Sequence, residues 1–167
     1  MSIKEPFIAE LQNEGKVTRK LLERVPLDNP AWKPHEKSMA LGRLAAHVAE
    51  LPSWITMTLT TEELDFAKSE YKPLVLNSAE ELTALHDKNI AAAVETLNKQ
   101  SDEDFMKNWS MRSGETIFFT MPKIQVLRGA VYNHLIHHRA QLGVYLRLLN
   151  VPLPQMYGPT ADEPMNF

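Results

Sequence analysis

Four long segments of the sequence carry apolar side chains at intervals of three and four residues, the spacing of an amphipathic helix. Pro, Gly and Asn residues lie between these segments and interrupt the pattern. The predicted helices run from Pro6 to Val25, from just after Ser38 through Ile55, from Ser78 through Leu97, and from about Pro122 to Asn150. Pro52 lies inside the second helix, where we expect a kink or a local break. Four amphipathic helices of this length predict an all-α fold, a four-helix bundle.

The segment from Trp109 to Thr120, between the third and fourth predicted helices, does not follow the helical pattern. Ser113-Gly114 divides it into two short pieces, the second of which contains Thr116-Ile117-Phe118-Phe119. This composition favours a short hairpin or an extended loop. Because the segment is short, we expect it to leave the all-α fold class unchanged.

Length and composition limit the classes of protein to consider. At 167 residues, with 44% hydrophobic and 23% charged residues, the chain is expected to form one domain over residues 1–167. A net charge of −3 argues against a nucleic-acid-binding surface, which usually carries a basic stripe. The sequence has no apolar run of about 18 residues, and its start lacks the basic-then-apolar order of a secretory signal. We expect a cytoplasmic protein that binds neither nucleic acid nor membrane.

The sequence contains no cysteine. This excludes a thiolate zinc site, a disulfide framework and a cysteine nucleophile supplied by the protein itself. The sequence also lacks a Gly-x-Ser-x-Gly motif and a Gly-rich phosphate-binding loop, so it gives no support to a serine hydrolase or a nucleotide-binding protein. The six histidines are therefore the main candidates for metal chemistry.

Two of these histidines, His134 and His138, lie four residues apart in the fourth predicted helix and therefore share one face of it. A helical wheel places both on the apolar side, whereas His137 points roughly 120° away. His47 lies at the edge of the apolar stripe of the second helix and can reach the same interior. Three neutral imidazoles suit a borderline-soft divalent ion and leave room for substrate or water, which is typical of a catalytic metal site.

Other interpretations of these residues remain open at this point. His134 and His138 can equally be two hydrogen-bonded core histidines without a metal. Glu14 lies in the middle of the apolar stripe of the first helix. It either lines the cavity around the ion, as a catalytic base or as a hydrogen-bond partner of the ligands, or is a solvated residue at the helix edge. His86, on the inner side of the third helix, is a reserve ligand. Glu50, one turn after His47, is interpreted as a solvated surface residue.

Three parts of the sequence resemble the DinB/YfiT-like superfamily. Residues Ser38 to Leu51 are similar to the second helix of that superfamily, and residues Asn133 to Leu142 are similar to the signature on its fourth helix. The tail from Tyr157 to Glu163 resembles a recurrent ending of its members. The chain departs at Ala140, where members often carry glycine; the extra methyl group would narrow a close helix contact without touching the histidines.

The resemblance implies a four-helix bundle in the order up-down-down-up, with a divalent metal site, nickel or zinc, at His47, His134 and His138. It also implies a homodimer, since many members are dimers. Characterised relatives include bacillithiol S-transferases and a mycothiol-dependent maleylpyruvate isomerase, which implies a small-molecule substrate. Our first hypothesis is thus a metal-dependent transferase that uses a low-molecular-weight thiol, or a hydrolase. The alternatives are a non-catalytic metal- or ligand-binding bundle, and a bundle whose histidines are only structural.

Overall fold

A computed structural model describes residues 2–165. It contains all four predicted helical regions, and the bounds of the helices are α1 (Lys4–Leu22), α2 (Leu41–Glu50), α3 (Ser53–Thr60), α4 (Ala79–Asn98), α5 (Asp102–Met106), α6 (Lys123–Val126) and α7 (His134–Leu148). The turns between α6 and α7, Leu127–Asn133, are π-helical. The fourth predicted helix is therefore continuous, but it changes from α-helical to π-helical geometry and back. The side chain of Ser78 caps α4 by accepting a hydrogen bond from the backbone N–H of Glu81.

The predicted interruption at Pro52 is confirmed. Helix α2 ends at Glu50 and α3 begins at Ser53. Proline lacks a backbone N–H and its ring clashes with the preceding turn, so one continuous helix cannot pass through this position without distortion.

The prediction of an all-α fold is wrong, because the protein also contains a three-stranded mixed sheet. Its strands are β1 (Glu63–Asp65), β2 (Asn108–Ser113) and β3 (Thr116–Pro122). Strands β2 and β3 form the hairpin expected after Trp109, with Gly114 at a φ of 58° in its turn. Strand β1 pairs in parallel with β2, across more than 40 residues of sequence, as Glu63 opposite Ser110 shows. A four-helix bundle, in the order up-down-down-up or any other, is therefore an incomplete description of the fold.

The buried carboxylate of Asp65 fastens the sheet. It accepts hydrogen bonds from the backbone N–H groups of Ala67 (3.0 Å) and Gly114 (2.9 Å), and so joins the end of β1 to the hairpin turn. A three-residue strand shows no alternation of apolar and polar residues, and its partner is distant in sequence. These two properties explain why the sequence pattern did not reveal β1.

The hydrophobic core lies between the helices. Helix α2 packs against both α4 and α7, and α1 packs against α4. The apolar face of α2 is fully buried, including Leu44, Ala45 and Val48. This packing holds α2 beside α7, and the two helices carry the histidines singled out above. Among residues 2–165, no helix is both long enough and apolar enough to cross a membrane.

Candidate metal centre

The imidazoles of His47, His134 and His138 meet at one point between α2 and α7. The Nε2 atom of His134 lies 2.8 Å from Nε2 of His138 and 3.5 Å from Nε2 of His47. One ring nitrogen from each residue falls within 4.8 Å of the others, which is close enough for the group to hold a metal ion. The structure thus brings together the three histidines that the sequence pattern selected.

Regular α-helix sets the spacing of the pair on α7. His134 is the first residue of α7, directly after the π-helical turns, and His138 follows four residues later on the same face. Single π-helical turns inside α-helices are rare and are frequent at functional sites. The Nδ1 atom of His134 lies 3.1 Å from the backbone oxygen of Ala130, which belongs to these turns. The π-helical turns therefore supply the acceptor for Nδ1 of His134.

Hydrogen bonds on the far side of two rings favour the tautomer that a metal requires. Nδ1 of His134 faces the Ala130 carbonyl, and Nδ1 of His138 lies 2.7 Å from Oε1 of Gln141. The backbone carbonyl of Ala130 can only accept, so Nδ1 of His134 carries the proton and donates it. The amide of Gln141, as oriented, also presents its oxygen and accepts from Nδ1 of His138. In a neutral imidazole this leaves the lone pair on Nε2, which points to the centre of the cluster.

The surroundings of His134 and His138 favour the uncharged form of both rings. Burial lowers the pKa of His134 and lowers that of His138 to about 4, and the neighbouring histidines act in the same direction. Neutral imidazole is the metal-binding form of histidine, so protons do not compete for these two nitrogens near pH 7.

A cavity of about 400 Å³ adjoins His47. Its apolar wall is formed by Trp54, Met57, Leu64 and Phe66. Arg43, Glu50 and Tyr71 form a polar wall next to the histidine. A concave apolar space with a few polar groups beside a candidate metal site is typical of small-molecule binding.

The polar wall is a connected network that the sequence pattern missed. The hydroxyl of Tyr71 donates to Oε2 of Glu50 (2.9 Å) and accepts from Nη2 of Arg43 (2.9 Å). Although burial opposes its charge, the neighbouring His47, Tyr71 and Arg43 lower the pKa of Glu50. The side chain of Glu50 is only 14% exposed, so its interpretation as a solvated surface residue is wrong. The spacing of three residues from His47 was the available signal, whereas Tyr71 lies in a loop that has no periodicity.

Glu14 and His86 have other partners. Oε2 of Glu14 accepts from Arg139 (2.7 Å) and from the hydroxyl of Tyr157 (2.7 Å), and Glu14 does not line the cavity beside His47. A catalytic role for Glu14 therefore stays a prediction that these contacts do not support. His86 is fully buried, with Nε2 3.1 Å from the backbone oxygen of Gly15, and lies outside the three-histidine cluster.

Comparison with known proteins identifies the family. The DinB family model matches residues 1–165. The chain belongs to the DinB family. Among solved structures, a DinB-like protein from Bacillus cereus ATCC 10987 is 25% identical, with a TM-score of 0.70, over 93% of this chain and 98% of its own. A DinB-like protein from Bacillus subtilis is 17% identical, with a TM-score of 0.68, over 96% of this chain and 100% of its own, and shows the same fold. No curated protein matches the chain.

Proposed function

We propose that this DinB-family protein binds a divalent metal ion through Nε2 of His47, His134 and His138, and acts as a metal-dependent enzyme on a small molecule in the adjoining cavity. The observation that carries the proposal is the meeting of three ring nitrogens within 4.8 Å, on two helices. Membership of the DinB family, for which such a site was expected, agrees with it.

The tautomers argue against histidines that are only structural. With protons on both Nδ1 atoms of the α7 pair, the lone pairs of His134 and His138 face each other across 2.8 Å. Moving the proton of His134 to Nε2 would relieve this repulsion, but its Nδ1 lone pair would then face the half-buried carbonyl oxygen of Ala130. Moving the proton of His138 would require the exposed amide of Gln141 to turn over and donate instead. A cation between the Nε2 atoms satisfies both sides at once. The residues present therefore fit a metal ion.

The donor set indicates which ions suit the site. Three imidazole nitrogens favour borderline-soft ions, and we propose nickel or zinc. Three protein ligands leave at least one coordination position for water or substrate, as in catalytic zinc sites. Such an ion supplies a Lewis acid, which favours the ionised form of a water or thiol that it binds.

The residues of the chain provide the remaining parts of the site. Trp54, Met57 and Phe66 form an apolar wall that would shield one side of a bound molecule from water. The chain has no cysteine, so a thiol nucleophile would come from a low-molecular-weight thiol cofactor. We propose thiol transfer ahead of hydrolysis because the sequence resembles thiol-dependent relatives, which is an argument by analogy.

Two measurements test the proposal. Metal analysis of protein purified without a histidine tag should find about one divalent ion per chain, whereas metal-free protein that takes up neither nickel nor zinc would refute it. Incubation with electrophilic or ester substrates, with and without a low-molecular-weight thiol, should then show turnover that a chelator abolishes. A bound ion without turnover on any substrate would instead support the alternative, a non-catalytic metal-binding protein.

A further inference from the structure

One carboxylate oxygen lies between two buried nitrogen donors in the wall of the cavity. Oε2 of Glu50 is 4.0 Å from Nδ1 of His47 and 4.0 Å from Nη1 of Arg43. Both nitrogens are buried, and neither finds a hydrogen-bond partner among residues 2–165. Leaving a buried donor unpaired is costly, and Glu50 offers the same acceptor to both donors.

The other two imidazoles of the cluster show what His47 lacks. His134 and His138 each hold an oxygen acceptor at Nδ1, the backbone oxygen of Ala130 and the side-chain oxygen of Gln141. Histidines that bind metals usually donate their second ring N–H to such an acceptor, which fixes the tautomer and the orientation of the ring. For His47, the carboxylate of Glu50 occupies the equivalent place, one helical turn further along α2.

Glu50 is itself held from outside the helix. Its Oε2 accepts from the hydroxyl of Tyr71, which in turn accepts from Arg43. Tyr71 comes from the segment between β1 and α4, and its side chain forms part of the cavity wall. The carboxylate thus connects a residue of the cavity wall to a residue of the candidate metal site.

We infer that Glu50 is the positioning residue for His47, accepting its Nδ1–H so that Nε2 faces the ion, and that Tyr71 and Arg43 position Glu50. The inference rests on the proposed metal site and extends it to the cavity. Because Tyr71 and His47 share Glu50, a small molecule that displaces the Tyr71 hydroxyl changes the affinity for the ion. By thermodynamic reciprocity, the ion changes the affinity for that molecule by the same factor.

Metal affinity measured with Zn²⁺ against a chelating indicator tests the role of Glu50. Glu50→Ala should weaken Zn²⁺ binding by about 10–100-fold, the usual effect of removing the hydrogen-bond partner of a metal-binding histidine. Glu50→Gln keeps an oxygen acceptor and should restore most of this affinity. Glu95→Ala is the matched control, because it removes an exposed carboxylate of α4 that pairs with Lys99. If Glu50→Ala binds Zn²⁺ as Glu95→Ala does, the inference is wrong.

A double-mutant cycle tests whether Tyr71 acts through Glu50. Tyr71→Phe should weaken Zn²⁺ binding in the wild-type background and have no further effect in Glu50→Ala, because non-additivity is the mark of a shared interaction. Tyr157→Phe also removes a tyrosine–carboxylate hydrogen bond, to Glu14, and should leave the affinity unchanged. Equal effects of Tyr71→Phe in both backgrounds would contradict the connection.

The tautomer of His47 in metal-free protein separates this inference from the proposed function. Long-range ¹H–¹⁵N NMR spectra should place the proton of neutral His47 on Nδ1 in the wild type, and Glu50→Ala should reduce that preference. A proton on Nε2 in the wild type would overturn the role of Glu50 even if Zn²⁺ binds. Conversely, the expected tautomer in a protein that binds no ion would refute the metal site while the contact between Glu50 and His47 survives.

Discussion

The position of one proton on each imidazole determines what the histidine cluster can bind. The acceptors at Nδ1 of His134 and His138 leave both Nε2 lone pairs pointing inward. The cluster thus presents nitrogen lone pairs to one common point, an arrangement that could hold a cation.

His134→Ala should abolish tight binding of Zn²⁺. Removing a direct ligand should cost more than the roughly 10–100-fold lost with an outer hydrogen-bond partner. His137→Ala is the matched control, because His137 lies on the same helix but outside the cluster. Calorimetric titration measures the affinity, and the circular dichroism of both variants should stay helical. Unfolding of His134→Ala without any change in metal content would indicate a structural histidine.

His86 should make the protein less stable in acid. Burial lowers the pKa of His86 below its usual 6.5, so below about pH 6.5 the unfolded chain binds a proton that the folded protein refuses. The free energy of unfolding therefore falls as pH decreases from 7.5 to 5.5, by at most about 1.4 kcal/mol per pH unit for one proton.

Urea unfolding with chelator present, at pH 7.5 and 5.5, measures this effect. His86→Gln keeps a donor for the Gly15 carbonyl and removes the titration, so it should lose less stability than the wild type over the same interval. Because His134 and His138 titrate in the same direction, the difference between the two proteins is the informative quantity. An identical pH dependence would contradict the assignment.

At the scale of elements, the sequence predicted what was periodic and local. The helices and the inward direction of His47, His134 and His138 follow from apolar spacing, because a helix presents residues three and four apart on one face. Strand β1, the loop that carries Tyr71, and the role of Glu50 depend on contacts between segments distant in sequence. A one-dimensional pattern contains no record of such contacts, so these features became apparent only in the structure.

The start of α2, the helix that carries His47, depends on a close approach at Gly42. A methyl group at this position would lie 2.8 Å from Cβ of Pro30, too close for two carbon atoms. Gly42→Ala should therefore reduce the free energy of unfolding by about 1–3 kcal/mol, as overpacking typically does.

Gly129→Ala is the control for this prediction, because a methyl group there would meet no atom within 4 Å in the part of the chain that the structure describes. That substitution should be neutral or stabilising in a helical segment. Urea unfolding measures both variants. Equal stabilities of Gly42→Ala and the wild type would show that Pro30 moves aside freely.

At the scale of the whole molecule, a buried ion pair joins the first helix, the last helix and the tail. The guanidinium of Arg139, on α7 and almost fully buried, contacts Glu14 and Thr18 of α1 and the hydroxyl of Tyr157. Glu14 therefore has a structural explanation that needs no catalytic role. The arrangement also explains why a carboxylate lies within the apolar stripe of α1, since the charge of Arg139 compensates it.

Glu14→Ala should destabilise the protein by about 3–5 kcal/mol, because it leaves the guanidinium of Arg139 buried without its partner. Glu10 lies on α1 as Glu14 does, and its pair with Arg128 is more exposed. Glu10→Ala should therefore cost only about 0–1 kcal/mol. Urea unfolding of the two variants decides the matter. If Glu14→Ala were as stable as Glu10→Ala but had lost a metal-dependent activity, Glu14 would be catalytic after all.

Anomalous X-ray scattering from crystals of the untagged protein, grown with Zn²⁺ or Ni²⁺, tests the metal site most directly. The account predicts one strong peak within bonding distance of Nε2 of His47, His134 and His138, with at least one further coordination position filled from outside the protein. A peak elsewhere, or three imidazoles in contact with no ion between them at saturating metal, would contradict it.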